Sequence, residues 1–295
     1  MIFNISEEGK SPVEKRYFEG NLIYVKRDDL LSREFSGNKA RKFYHYLIED
    51  YPQIKSVVSY GSSQSNAMYS LSVLAKMRGW KFEYHVKHLS DYLKEHPHGN
   101  FKYALENGMQ MIISEDEPKR EEIESEETLF VEEGGRQSSA EVGLQKLAEE
   151  IDVWKAENEV AELNIFLPSG TGTTALYLQK HSQDRVYTVP CVGDGKYLKK
   201  QFLMLEEDEN LHPYIVLPSR KRHFGKLYRE SYNIWLKLQD EMGIEFDLLY
   251  DPYGWLTLLE NPQIFEKPLL YIHQGGLIGN ESMLARYKRK YGEDI

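Results

Sequence analysis

Short apolar runs rich in Val, Ile, Leu, Phe and Tyr alternate along the chain with longer stretches whose apolar positions recur at helical spacing. The short runs predict strands over 22–25, 56–60, 82–86, 110–113, 164–167, 186–189, 214–217 and 269–272. The longer stretches predict helices near 39–50, 66–78, 98–107, 139–151, 174–183, 195–206, 229–242 and 280–290. Alternation of this kind packs as parallel sheets covered by helices on both faces, an α/β fold. Ligands in such sheets bind where loops leave the carboxyl ends of strands. The Glu-rich segment 114–133, which contains Pro118, reads as a surface excursion near a domain boundary rather than as core.

Three polar loops stand at informative places on this pattern. Ser36-Gly37-Asn38-Lys39 opens a helix whose apolar face carries Phe43, Tyr46 and Leu47. A lysine there is an ordinary surface residue or, if partly buried and so held neutral, a nucleophile. Gly61-Ser62-Ser63-Gln64-Ser65-Asn66 follows the 56–60 strand and opens a helix. Ser65 there is a helix cap, or Gln64, Ser65 and Asn66 together with free backbone amides hold a carboxylate. Ser169-Gly170-Thr171-Gly172-Thr173-Thr174 follows the 164–167 strand and suits a phosphate at a helix N-terminus, or a plain cap. It is not a nucleotide P-loop, because no lysine stands between the glycine and the threonine pair.

Composition narrows the classes. At 295 residues the chain has the length of two domains or one large one. Acidic residues outnumber basic ones by 47 to 37, a formal charge of −10 that disfavours general nucleic-acid binding. The densest basic run, Arg220-Lys221-Arg222, reads as a solvated turn. No apolar run approaches the ~18 residues needed to span a bilayer, and residues 1–20 carry no signal-like apolar core. The single cysteine, Cys191, excludes an internal disulfide and fits a cytoplasmic protein, as a buried residue rather than a nucleophile. His85, His88, His96 and His98 lie close in sequence without a metal-ligand pattern, so no metal is expected.

Taken together, Lys26-Arg27-Asp28-Asp29-Leu30, Ser36 to Lys42 and Gln64-Ser65-Asn66 resemble the 1-aminocyclopropane-1-carboxylate deaminase and D-cysteine desulfhydrase family of type II pyridoxal-phosphate enzymes. The resemblance continues through Glu133-Gly134-Gly135, the 169–174 loop, Asp251-Pro252-Tyr253 and His273-Gln274-Gly275-Gly276, spanning nearly the whole chain in order. It implies two open twisted, mainly parallel sheets with pyridoxal 5'-phosphate in the cleft between two domains. The expected division is 1–42 plus 149–295 for the large domain and 43–148 for the small one. It also implies a homodimer.

By the same resemblance, Lys39 matches the lysine that links covalently to the cofactor, and Asn66 the asparagine at the cofactor's ring oxygen. Ser65 matches a serine near the substrate carboxylate and reacting carbon, and Gly170, Thr171, Gly172, Thr173 and Thr174 match the phosphate cradle. The family carries Asp-Pro, one variable residue and an active-site tyrosine. Tyr253 fits if one residue is missing, and Tyr250 is the alternative. In the deaminases an acid follows that tyrosine and pairs with the pyridine nitrogen. Gly254 follows Tyr253, so Gln274 is the expected neutral partner. Phe224 in His223-Phe224-Gly225 stands where the family often has a second tyrosine, which counts against cyclopropane ring opening. The implied activity is a lyase or deaminase releasing a 2-oxo acid and ammonia from a small amino acid such as D-cysteine, with 1-aminocyclopropane-1-carboxylate second. A cofactor-binding homologue without turnover and a phosphosugar or nucleotide binder remain as rivals.

Overall fold

A computed structural model describes residues 10–32, 34–35 and 37–292. Ser36 lies outside the described residues. The strands are β1 (Val13–Phe18), β2 (Asn21–Arg27), β3 (Ser56–Tyr60), β4 (Lys81–Val86), β5 (Met109–Ile113), β6 (Thr128–Val131), β7 (Asn164–Ser169), β8 (Arg185–Pro190), β9 (Tyr214–Ile215) and β10 (Leu269–His273). The helices are α1 (Gly37–Lys42), α2 (His45–Ile48), α3 (Asn66–Arg78), α4 (Asp91–Glu95), α5 (Gly99–Glu106), α6 (Arg120–Ile123), α7 (Glu141–Glu157), α8 (Thr173–His181), α9 (Gly195–Leu203), α10 (Arg229–Met242), α11 (Asp251–Leu259) and α12 (Gly279–Tyr291).

The strands form a six-stranded sheet in the order β1-β2-β10-β7-β8-β9 and a four-stranded sheet in the order β5-β4-β3-β6. Every pairing is parallel except β1 with β2. This is the expected α/β architecture of two mainly parallel sheets. β7 and β10 are buried along their whole lengths, as central strands covered on both faces must be. Each sheet carries its own apolar core, one around Trp255, Phe246 and Tyr271, the other around Met68, Leu71 and Tyr84.

Several expectations need correction. Segment 114–133 is not wholly a surface excursion: β6 pairs in parallel with β3, and Phe130 and Val131 are buried. Its acidic composition belongs to the exposed stretch before the strand, and long-range pairing with β3 overrides it. The predicted 39–50 helix is two short helices, broken at Phe43 and Tyr44. The run 220–222 is not simply a solvated turn, because Arg222 is buried and its Nε donates to Glu230 Oε1 at 2.8 Å.

Four buried charges tie α1 to this frame. Arg41 donates to Asp28 (Nε to Oδ2, 3.0 Å; Nη2 to Oδ1, 2.8 Å) and to Glu150 of α7 (Nη1 to Oε1, 2.5 Å). Lys26 of β2 donates to Glu150 Oε2 at 2.6 Å. A buried charge stripped of its partner is costly, so this cluster holds one relative placement of β2, α1 and α7.

Candidate active site

The loops leaving the carboxyl ends of β3, β7 and β10 converge on one cavity of about 770 Å³. It is lined by Lys39, Gln64, Ser65, Asn66, Gly170, Thr171, Gly172, Thr174 and Gln274 among others. Thr173 stands behind this wall, fully buried, its hydroxyl 3.1 Å from that of Thr171. Tyr253 does not line the cavity, whereas Tyr250 does.

Gly37 makes the seat for Lys39. Its φ is +64°, and a Cβ there would lie 1.9 Å from the Gln274 carbonyl oxygen, so only glycine lets α1 dock on the loop after β10. The contact is completed by Asn38, whose amide donates to Gln274 O and whose side chain donates to Gln274 Oε1, both at 3.0 Å. Gln274 Nε2 in turn donates to Pro168 O at 2.7 Å, which fixes the glutamine to the end of β7. Lys39 and Lys42, three residues apart on α1, both donate to the Gly134 carbonyl at 3.1 Å. Burial lowers the Lys39 ammonium to about 8, against opposing pulls from Glu133 and from a hydrogen bond with Lys42. Burial and the proximity of Lys39 push Lys42 well below the ordinary lysine range. Two amines in one apolar-walled site cannot both stay charged cheaply, so a neutral amine near physiological pH is built in here.

Across from them lies the N-terminus of α8. Gly172 occupies its cap with φ +75°, and a Cβ there would meet the Phe202 ring at 2.4 Å. The first-turn amides of α8 lack intrahelical acceptors and carry the positive end of the helix dipole. Thr174 Oγ1 is buried and has no hydrogen-bond partner among the described residues, although it lines the cavity. Lys42 Nζ reaches Thr171 Oγ1 at 3.4 Å. Free amides, an orphaned hydroxyl and an amine that an anion would recharge make a donor set with no acceptor, which fits a phosphate. Lys42 has no role assigned from the sequence, although its spacing from Lys39 is there to be read.

On the other sheet, Ser65 does cap α3, its Oγ accepting from Ala67 N at 3.1 Å and Met68 N at 3.4 Å. The cap and the cavity wall are therefore the same residue. Asn66 Oδ1 accepts from Asn100 Nδ2 at 2.6 Å, and its amide group faces Asp247. Gln64 is held at both ends: its carbonyl accepts from Asn100 Nδ2 at 3.0 Å, and Oε1 from Ser282 Oγ at 3.2 Å.

The two candidate tyrosines part company in the structure. Tyr253 sits two residues past the buried Asp251 on α11, on nearly the opposite face, with the Arg222 guanidinium over its ring at 5.8 Å. Tyr250 instead points to the β7 loop, within reach of Gly170. In the run Asp247-Leu248-Leu249-Tyr250-Asp251 an acid directly follows Tyr250. Asp251 and Gln274 are both polar groups of the cavity wall. Asp251 lines the cavity, accepting from Tyr271 Oη at 2.6 Å and from Asp247 N at 2.9 Å. Burial raises the pKa of both carboxyls, and Asp247 raises that of Asp251 further. Phe224 also lines the cavity, its ring 5.0 Å from that of Tyr250. Cys191 is buried and its thiol is pushed well up by burial. No group of three or more His, Cys, Asp or Glu is placed to hold a metal ion among the described residues.

No family model matches the sequence, and no curated protein matches it. Solved structures do share its fold. An ACC deaminase homologue is 20% identical with a TM-score of 0.78, covering 95% of this chain and 92% of that one. A hydrogen sulfide-producing enzyme from Fusobacterium nucleatum is 14% identical with a TM-score of 0.63, covering 92% and 94%. A T.th. threonine deaminase is 12% identical with a TM-score of 0.62, covering 90% and 92%. The chain thus has the two-sheet α/β fold of these structures over nearly its whole length.

Proposed function

We propose that the protein is a pyridoxal-phosphate-dependent lyase or deaminase that releases a 2-oxo acid and ammonia from a small amino acid. The observation that carries this reading is the pairing, in one cavity, of a lysine depressed to about 8 with an anion cradle whose buried Thr174 hydroxyl lacks a partner. The fold shared with an ACC deaminase homologue, a hydrogen sulfide-producing enzyme and a threonine deaminase supports it.

When bound, pyridoxal phosphate supplies an electron sink that makes the substrate Cα–H acidic and stabilises the resulting negative charge. The chain's own residues do the rest. Lys39 would be the attachment point for the cofactor and would serve as the base for the Cα proton. Gly170, Thr171, Gly172 and Thr174 with Lys42 would hold the phosphate, and Asn66 would meet the ring oxygen. Gln64 and Ser65, at the N-terminus of α3, would take the substrate carboxylate. Tyr250 stands in for the family tyrosine, and Asp251 or Gln274 would meet the ring nitrogen. A carboxylate facing a ring nitrogen keeps that nitrogen protonated and strengthens the sink.

D-cysteine or a related β-substituted amino acid is the first choice of substrate. Phe224, in place of a hydroxyl beside Tyr250, ranks 1-aminocyclopropane-1-carboxylate second. The test is the visible absorbance of the protein given pyridoxal phosphate, before and after borohydride, with Lys39→Ala in parallel. A band that borohydride fixes on the Lys39 peptide supports the reading. A folded wild type with no band overturns it.

A further inference from the structure

The cavity extends well beyond the groups assigned above. Its outer wall is one face of α12, where Gly279, Ser282, Met283, Arg286 and Arg289 recur at helical spacing. Arg286 is half-buried and aimed by two contacts: Nη2 donates to Gly225 O at 2.6 Å, and Nη1 lies 3.2 Å from Met283 Sδ. Arg289 lies over the ring of Tyr92, 5.6 Å from its centroid, across the cavity mouth. Neither arginine forms an ion pair with a carboxylate among the described residues.

Arg78, Arg185 and Arg229 also have no ion pair among the described residues, but none of them lines the cavity. Arg27, Arg41, Arg120 and Arg222 each meet a carboxylate. Like charges three apart on one helix face repel, and here burial and Arg289 together lower the pKa of the Arg286 guanidinium. The acidic groups that line the cavity, Glu133, Asp247 and Asp251, are used elsewhere. Asp247 and Asp251 are hydrogen-bonded deep in the site, and Glu133 faces Lys39. The volume, about 770 Å³, falls in the upper part of the ~300–1,000 Å³ range of small-molecule sites and leaves room for a substrate longer than cysteine.

We infer that Arg286 and Arg289 form a subsite for a second anionic group, so that the preferred substrate is an amino acid whose β-substituent ends in an oxyanion such as a carboxylate. The inference rests on the amino-acid reading above and deepens it. Guanidinium forks bind carboxylates bidentately, and two on one face of α12 would both attract and orient such a group. Cysteine would then be a minimal substrate that leaves the arginines unused.

The test compares S-carboxymethylcysteine with its isosteric neutral amide, S-(carbamoylmethyl)cysteine, as both enantiomers. Binding is measured by calorimetry on the chain as purified, and turnover on the cofactor-loaded protein. The expected result is that the acid binds tenfold or more tighter than the amide in at least one enantiomeric series. Arg289→Gln and Arg286→Gln should each reduce that ratio severalfold, and Arg286→Lys should keep its sign. Arg289 is exposed, so its variant tests the idea without endangering the fold. Equal binding of acid and amide, a ratio untouched by either glutamine variant, or no binding of the acid at millimolar concentration would each overturn the subsite. Calorimetric preference without a cofactor absorbance band would instead uphold the subsite and sink the cofactor reading.

Discussion

The six-residue helix α1 carries two buried basic clusters that the rest of the protein treats in opposite ways. On one side Arg41, with Lys26 close by, is matched by Asp28 and Glu150, which raise its pKa, while Arg41 and Lys26 lower that of Asp28. On the other side Lys39 and Lys42 share a carbonyl and form no ion pair among the described residues, Glu133 pulling on Lys39 only from a distance, and both are depressed. Burial is severe in both places, so the partner sets the outcome. Where carboxylates are supplied, the cation is permanent and the cluster is structural. Where they are withheld, the amine becomes neutral enough to act as a nucleophile.

The largest expected effect of breaking this contrast is on the chemical side. Lys39→Ala should abolish borohydride-fixed cofactor and lower turnover by roughly 10³-fold. Its unfolding midpoint should hardly move, since no ion pair is lost. On the structural side, Glu150→Ala should cost about 3–5 kcal/mol by leaving Lys26 and Arg41 buried with too little counter-charge. Urea denaturation reads that loss directly, and an unchanged midpoint would mean that the cluster does not lock α1.

A smaller and sharper test uses Thr174→Val, which keeps shape and removes only the hydroxyl. Because Thr174 Oγ1 has no partner without a ligand, the cofactor-free protein should gain about 1 kcal/mol. Affinity for cofactor should fall instead, by about 1.5–3 kcal/mol for a lost bond to a charged group. Opposite signs in the two measurements are the signature of a cradle. A plain packing role would move both the same way.

The smallest effect expected is a shift in pH dependence. Neutral Lys39 accumulates as the pH rises through about 8, so the rate of cofactor attachment should climb through that range and level off above it. Glu133 pulls the lysine upward, and Glu133→Gln removes that pull. The midpoint should therefore move to lower pH. A move upward, or none, would remove Glu133 from the electrostatics of the site.

The polar loops were legible because each is a local device: a glycine seat, a capped helix start, a glycine–threonine turn after a strand. The strands over 56–60, 164–167 and 269–272 were legible as well, because central parallel strands are short continuous apolar runs. β6 was hidden by its Glu-rich neighbours and exists through pairing with a strand about 70 residues earlier in the chain. Tyr250 and Tyr253 could not be told apart by a dipeptide match, since only the turn of α11 decides which one faces the cavity.

What the sequence determined by itself is the order of elements and the identity of the loops at their ends, because propensity, capping and apolar periodicity act over a few residues. What only the tertiary structure decided is the state of the groups in those loops. A lysine depressed to about 8, and a threonine hydroxyl without a partner and two arginines without a carboxylate among the described residues, are statements about burial and about which charges come within a few ångströms. Residues as far apart in sequence as Lys39, Thr174, Tyr250 and Arg286 acquire those properties only when the two sheets bring them around one cavity.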